Sequence, residues 1–231
     1  MEISKRLQQV AAFVSYSTMA DIGTDHAYVP LYLWEMGKVT KALACDINQG
    51  PLARAKENIS RMGAEQAIET RLGSGLCPVK PREVETAVIA GMGGMLTIHI
   101  LEDSQAVVQG LKELVLSPQH DMDAVRRYIH GMGFSIADEV LLKEDGKYYT
   151  VLRCVHGQER YETKTEYRYG KILLETGSPL LLEKLEQEER QLQKVEERLR
   201  QNPSEKALTR LQEVTESLRQ IQEAKAWQKQ R

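Results

Sequence analysis

Two carboxylates, an imidazole and a phenol stand close together in the stretch TMADIGTDHAYVP, residues 18–30: Asp21, Asp25, His26 and Tyr28, grouped around Gly23. Carboxylates on a tight turn can grip an ammonium, a sulfonium or sugar hydroxyls. Asp25 or His26 can also accept a proton or offset a positive charge that develops in a reaction. Tyr28 offers a ring on which a base can stack. A third acid, Asp46, closes the apolar segment KALAC and is followed by Ile47. A carboxylate at the end of a second strand, about 25 residues after a first strand's turn, is placed to accept both hydroxyl protons of a ribose. Its competing role is to cap the next helix, but Asn48 can fill that position and leave Asp46 free.

Two glycine-rich stretches complete the candidate set. Ala90-Gly91-Met92-Gly93-Gly94 follows the apolar segment VETAVIA. Three glycines in four residues forfeit much backbone entropy, which suggests that something approaches the chain closely there. Gly73-Ser74-Gly75-Leu76 bends the chain after another apolar run, and Ser74 and Gly75 can contact an adenine ring. A carboxylate would be a sharper partner than Ser74. Near the N-terminus, Lys5 and Arg6 lie opposite the apolar positions Ile3, Leu7, Val10, Ala11 and Val14 of a helix over 2–14. They are either a solvated face or contacts to phosphates near the mouth of a site.

These residues need strands and turns to bring them together. Strand, glycine turn, helix is the opening of a nucleotide-binding βαβ unit, with a helix starting at Pro30 and stopped by Gly37. A phosphate-binding fingerprint needs G-x-G-x-x-G, and here Gly23 stands alone. A ligand without phosphate fits better. S-adenosylmethionine, which carries a sulfonium, an ammonium and two ribose hydroxyls, is such a ligand. Further strands are expected over 41–46, 67–72, 84–90 and 111–117, with helices over 51–61, from 95 and over 122–130. Asp145-Gly146 between alternating runs signals a terminal β-hairpin over 134–143 and 147–155. The fold class is α/β: a doubly wound sheet, parallel first and antiparallel at its end.

After Val155 the pattern changes. Gln158 to Lys164 reads as a polar linker. From Leu180 two long helical patterns follow, with Leu185, Leu192 and Leu199 seven apart, and then Leu208, Leu211, Val214, Leu218 and Ile221. Asn202-Pro203-Ser204-Glu205 between them supplies a cap, a proline at the first helical position and an early acid. The expectation is an antiparallel, coiled-coil-like hairpin forming its own domain over 159–231, after a first domain over 1–158. It serves either as a solvated element or as an arm that docks a partner.

Composition bounds the rest. The 231 residues carry a net charge of −2, so any nucleic-acid surface must be local. The cysteines, Cys45, Cys77 and Cys154, form no C-x-x-C pair. That argues against a metal site or a disulfide framework and suits the cytoplasm. Lys5, Arg6, Gln8 and Gln9 interrupt the N-terminal segment, so no signal peptide is expected, and no apolar run suggests a membrane span. The oligomeric state is not readable, with a monomer favoured over a larger assembly.

The stretches DIGTDHAYVP, CDIN at 45–48, AGMGGM at 90–95 and EDGKYY at 144–149 together resemble the bacterial tRNA (adenine-22-N1)-methyltransferases of the TrmK type. The resemblance covers the whole chain. It implies a Rossmann-like class I methyltransferase domain with a mostly parallel seven-stranded sheet, S-adenosylmethionine as donor and tRNA as substrate. Asp21, Gly23, Asp46, Ile47, Ser74, Gly75, Ala90, Gly91 and Met92 are then expected at the cofactor. Asp25 and His26 are expected in catalysis, and Tyr28, Lys5 and Arg6 at the substrate. Ser74 departs from the family, which tends to carry Asp before Gly-Leu. The place where exocyclic-amine methyltransferases often carry Asn/Asp-Pro-Pro-aromatic reads Ala-Gly-Met-Gly, which fits attack by a ring nitrogen that already has a lone pair. Two other readings stand beside this one. An NAD-dependent oxidoreductase is disfavoured by the single Gly23 and the final hairpin. A non-catalytic RNA-binding protein is disfavoured because a dead pocket has no use for both Asp21 and Asp46.

Overall fold

The computed structural model describes residues 1–201 and 204–229. Up to Arg160 the chain alternates helices and strands. In order these are α1 (Lys5–Phe13), β1 (Thr18–Ile22), α2 (Tyr28–Glu35), β2 (Lys41–Asp46), α3 (Gln49–Met62), β3 (Ile68–Leu72) and β4 (Thr86–Ala90). Then come α4 (Gly94–Asp103), α5 (Gln105–Val108), β5 (Glu113–Ser117), α6 (Met122–Gly131), β6 (Phe134–Glu144) and β7 (Lys147–His156). One seven-stranded sheet runs in the order β3-β2-β1-β4-β5-β7-β6. β1 to β5 pair in parallel, and β7 inserts antiparallel between β5 and the edge strand β6.

The strand order grows outward in both directions from β1 and β4. Right-handed crossovers therefore put α2 and α3 on one face and α4 to α6 on the other. α1 packs with α2, and α4 with α6. The central strands are buried throughout, as Ala20, Leu43, Val88 and Leu116 show, because helices cover both faces. The carboxyl ends of β1 and β4, where the winding reverses, form the crevice in which ligands of such sheets bind.

Most element limits follow the sequence pattern to within a residue or two. Asp145 (φ +49°) and Gly146 (φ +76°) turn the β6–β7 hairpin, with Glu144 opposite Lys147. The helix expected to start at Pro30 begins earlier, at Tyr28. Proline lacks only a backbone N–H, and the whole first turn of a helix has no use for that group.

From Tyr161 the chain forms a second unit, with α7 (Lys164–Tyr169), α8 (Lys171–Thr176), α9 (Pro179–Gln201) and α10 (Glu205–Lys229). α7 opens with a capping box: Thr163 caps the Glu166 N–H while the Glu166 carboxylate accepts from the Thr163 N–H. The sequence pattern passes over α7 and α8, reading the segment through Lys164 as a linker. α9 and α10 run antiparallel and pack together, burying Leu181 and Leu185 of α9 and Ala207, Val214, Ile221 and Ala224 of α10, with Glu189 paired to Lys225 across them. Leu208, expected in that seam, is instead 58% exposed. The seven-residue spacing of Ala207, Val214 and Ile221 sets the buried line, and Leu208 stands about 100° round the helix from it. The capping role read for Asn202 and Pro203 lies outside the described residues; Ser204 Oγ accepts from the Ala207 N–H at 3.1 Å.

Candidate active site

The turn after β1 is held from three sides. Gly23 takes φ +76°, and a Cβ there would collide with the Met92 methyl group. The Gly23 and Thr24 N–H groups both donate to the Cys45 carbonyl, at 2.8 and 3.0 Å, which ties the turn to the end of β2 beside Asp46. Thr24 Oγ1 donates to Asp21 Oδ2 at 2.6 Å. Asp21 is itself buried, and that burial pushes its carboxyl up to about 6, with the Asp46 charge adding to the rise. The Thr24 bond and the nearby Arg6 guanidinium pull the other way.

Asp25, His26 and Tyr28 line the same cavity of about 400 Å3, together with Asp21, Gly23, Thr24, Arg6, Ala90 and Gly91. Asp25 sits at φ +32° with its carboxylate paired to Arg54 of α3, Nη2 to Oδ1 at 2.6 Å. His26 Nε2 is 3.6 Å from Asp25 Oδ2, and its ring stacks on Tyr28, with centroids 4.9 Å apart and planes 9° from parallel. So one face of Tyr28, expected as a platform for a base, is already taken by His26. Asn58, also on α3, donates from Nδ2 to the His26 carbonyl at 3.0 Å and accepts from Arg61 at 2.6 Å. Arg54, Asn58 and Arg61 escaped the sequence reading. Their signal was present: positions three and four apart on one face of a helix that faces the turn.

Asp46 ends β2, and its Oδ1 accepts the Asn48 N–H at 2.7 Å. This corrects the expectation that Asn48 caps α3 and leaves Asp46 free. Asn48 occupies the cap position without a side-chain bond, and one oxygen of Asp46 is used to hold the turn. The Gly73 N–H donates to the Asp46 carbonyl at 2.9 Å, which brings the loop with Ser74 and Gly75 beside that acid. Gly75 packs against Ile100, whose Cγ2 would stand 2.9 Å from a Cβ there, so its small size serves the core. Ile47 is 64% exposed, an apolar side chain left in solvent beside Asp46.

The glycine-rich loop after β4 differs from expectation in an instructive way. A Cβ on Gly93 would stand 2.7 Å from the His120 ring, and one on Gly94 would stand 2.5 Å from the His120 carbonyl oxygen. These two glycines admit the chain leaving β5, not a ligand. The Gln119 N–H donates to the Met92 carbonyl at 2.8 Å and fixes the same contact. Gly91 remains open: it has φ +85°, and a Cβ built there would meet only the Arg6 guanidinium, with Nη1 at 3.7 Å.

Lys5 and Arg6, grouped on one solvent-facing side by the sequence reading, part company. Lys5 is exposed, and its backbone N–H donates to Glu144 Oε1 at 2.6 Å. Arg6 turns inward, its guanidinium 5.4 Å from the centroid of the Tyr149 ring. Arg6 Nη1 is buried and has no hydrogen-bond partner among the described residues. Cys45, Cys77 and Cys154 are free thiols. Among the described residues no group of three or more His, Cys, Asp or Glu could hold a metal ion, and no helix is long and apolar enough to cross a membrane.

A doubly wound sheet ending in an inserted hairpin, with acids at the ends of β1 and β2, defines a methyltransferase domain, and the family model of that description, "Methyltransferase domain", matches residues 3–152. A Bacillus subtilis (strain 168) protein, "tRNA (adenine(22)-N(1))-methyltransferase", is 34% identical over 207 residues, covering 87% of this chain and 87% of its own. The chain belongs to the tRNA (adenine(22)-N(1))-methyltransferase family. The crystal structure of the B. subtilis M1A22 tRNA methyltransferase TrmK is similar at TM-score 0.90 and 33% identity, over 96% of this chain and 98% of that one. M. capricolum TrmK, solved in complex with S-adenosyl-homocysteine, is similar at TM-score 0.85 and 29% identity, over 96% and 97%.

Proposed function

We propose that the protein transfers a methyl group from S-adenosylmethionine to N1 of adenine 22 in the D-arm region of tRNA. The observation that carries this reading is the pair of acids, Asp21 and Asp46, at the carboxyl ends of neighbouring strands beside the switch point, with Gly91 open beside Arg6 in the cavity that Asp21 lines. That donor set fits a ligand with an ammonium, a sulfonium and a ribose, and offers no nest for a pyrophosphate. The family relatives supply the tRNA and the position: the B. subtilis relative bears adenine 22 in its name, and the M. capricolum one holds the demethylated cofactor product. Neither an oxidoreductase nor a non-catalytic RNA-binding role is what this family supports.

S-adenosylmethionine, when bound, supplies an electrophilic methyl group. The chain's own task is alignment and charge balance. Asp46 takes the ribose through its free oxygen while the other holds the turn, with Ile47, Ser74 and Gly75 beside the adenine. Asp21 faces the amino-acid end, and Ala90, Gly91 and Met92 form the shelf beneath it. N1 needs no base before attack because its lone pair is free. The methylated ring is cationic, and Asp25 offsets that charge or accepts a proton from the exocyclic amine, with His26 and Tyr28 bounding the opening. Lys5 faces solvent and serves as a contact to tRNA phosphates. The reading places the protein in the cytoplasm with tRNA, as a monomer.

The test is methylation of unmodified tRNA transcripts with mass mapping of the product. One methyl at N1 of adenine 22, lost when that nucleotide is changed to guanine, is the expected result. A methyl on any other nucleotide sinks the assignment.

A further inference from the structure

His120 and Asp121 stand where β5 gives way to α6. Asp121 occupies the N-cap position of that helix, where an aspartate ordinarily accepts a backbone N–H. It makes no such bond. Its carboxylate instead accepts from the His120 ring, Nδ1 to Oδ2 at 2.6 Å, and its backbone sits in the left-handed region at φ +57°. A forgone cap and a left-handed residue that is not glycine each cost stability, and outliers of this kind collect at functional sites. The loop after β4 makes room for the ring. The Gly91 N–H donates to the Ser117 carbonyl at 3.0 Å and the Gln119 N–H to the Met92 carbonyl at 2.8 Å, so the two strand exits run together. A Cβ on Gly93 would stand 2.7 Å from Cε1 and 2.8 Å from Nε2 of His120. The imidazole thus lies on the glycine loop two residues from Gly91, which lines the cavity, and its side chain is 65% exposed. A carboxylate on Nδ1 fixes the tautomer of the neutral ring: Nδ1 carries the proton and Nε2 keeps its lone pair. No described residue donates to that lone pair. His26, by contrast, is engaged, with Nε2 3.6 Å from Asp25 and its ring stacked on Tyr28.

We propose that His120, oriented by Asp121, accepts a hydrogen bond from the exocyclic amine of the target adenine while N1 attacks the methyl group. This rests on the reading of the protein as an adenine-N1 methyltransferase. N1 and the 6-amino group are neighbours on the Watson–Crick edge, the edge that an enzyme reads once the base has left its stack. The amine is the hydrogen-bond donor of that edge, and an acceptor held in one tautomer recognises it. Guanine sets a carbonyl oxygen there, lone pair against lone pair, and carries a proton on N1. As the methyl arrives, positive charge spreads from N1 to the amine and makes its N–H a stronger donor. The bond to Nε2 therefore tightens in the transition state and speeds transfer as well as selecting the base. His120 takes no proton in this step. Asp121 does not touch the base; it is a positioning residue that acts through the ring.

The experiment uses tRNA carrying either adenine or unsubstituted purine at position 22. Purine keeps the N1 lone pair and lacks only the 6-amino group. Single-turnover rates of the full chain at saturating S-adenosylmethionine are compared on the two. The wild type should favour adenine, partly because purine is the weaker nucleophile, and that part is common to every variant. His120→Ala should cut the preference about tenfold by slowing transfer to adenine far more than transfer to purine. His120→Gln, whose amide oxygen reaches the place of Nε2, should recover part of it. Asp121→Asn tolerates the left-handed backbone and removes the charge, and it should cut the preference by about threefold. If His120→Ala does not fold by circular dichroism, His120→Asn, too short to reach the amine, takes its place. Equal slowing on both substrates makes the ring a packing element of the glycine loop and overturns the proposal, as does a preference that survives the loss of His120. A wild type that methylates neither tRNA overturns the proposed activity itself, a result distinct from each of these.

Discussion

Arg54 reaches from α3 to the turn after β1 and pairs with Asp25, Nη2 to Oδ1 at 2.6 Å, with both side chains about half exposed. The acid proposed to offset the cationic product is thus held in place by a neighbour before any substrate arrives. Replacing Asp25 by Asn keeps its size and removes its charge. The single-turnover methyl-transfer rate should fall about tenfold or more, with cofactor affinity little changed. Arg54→Ala should cost less, within about fivefold, because an exposed ion pair contributes only about 0.2–1 kcal/mol. If Arg54 acts through Asp25 alone, the double variant matches Asp25→Asn. Rapid-quench kinetics at saturating cofactor reads all three, and a lost cofactor affinity in Asp25→Asn makes this acid a binding residue.

Asp46 should matter to binding more than to chemistry. Asp46→Ala removes a charged hydrogen-bond partner from the ribose and an anchor from the Asn48 N–H. Cofactor binding should weaken by about 1.5–3 kcal/mol. Equal calorimetric affinity in variant and wild type would remove Asp46 from the site.

The pH response of Asp21 has a defined sign. Its carboxyl is raised from an ordinary 3.8 to about 6 by burial, so the folded state binds the proton more tightly than the unfolded chain. That contribution to stability is complete below about pH 3.8 and is lost as pH rises through about 6. Its full size is at most about 3 kcal/mol. Asp21→Asn should therefore make the ligand-free protein more stable than wild type above pH 6, with the gap closing towards pH 4, in denaturant titrations across that range. Cofactor affinity runs the other way. In the wild type it should rise with pH through about 6, as the carboxylate that faces the ammonium forms, and Asp21→Asn should lose that rise.

The second unit should be dispensable for the cofactor and required for tRNA. A chain ending at Arg160 keeps every strand of the sheet. It should fold and bind S-adenosylmethionine, yet methylate tRNA poorly. Full activity on tRNA would deny the helical hairpin a substrate role, and an insoluble product would make it part of the core.

The sequence disclosed its strands and the closing antiparallel hairpin well, because central parallel strands are apolar runs that end in turns. Asp21, Gly23, Asp46 and the Asp145-Gly146 hairpin could be placed by spacing alone. What stayed hidden depends on which way a side chain turns across the fold. Arg6 read as a solvated charge or a contact to tRNA because helical periodicity reports the face of a residue and not the reach of a long side chain. Gly93 and Gly94 read as room for a ligand because their neighbour, His120, lies on the next strand's exit and not in the same stretch. Arg54 and Asn58 were invisible as site residues because their partners, Asp25 and His26, are 29 and 32 positions away.

α1 packs on α2 early in the chain and on β5, β6 and β7 late in it. Its first residue, Lys5, donates a backbone hydrogen bond to Glu144, 139 positions on, and Arg6 leans on Tyr149 from the last strand. On a ribosome, the helix that emerges first can meet α2 early, but it completes its packing only when the final hairpin arrives. A nascent chain that has completed β1 to β5 holds Arg6, Asp21 and Asp46 but not Tyr149, the ring over which Arg6 rests. The cavity's lining is thus synthesised by Gly91, while the ring that braces its one arginine comes some sixty residues later, so the pocket is chemically complete before it is mechanically set.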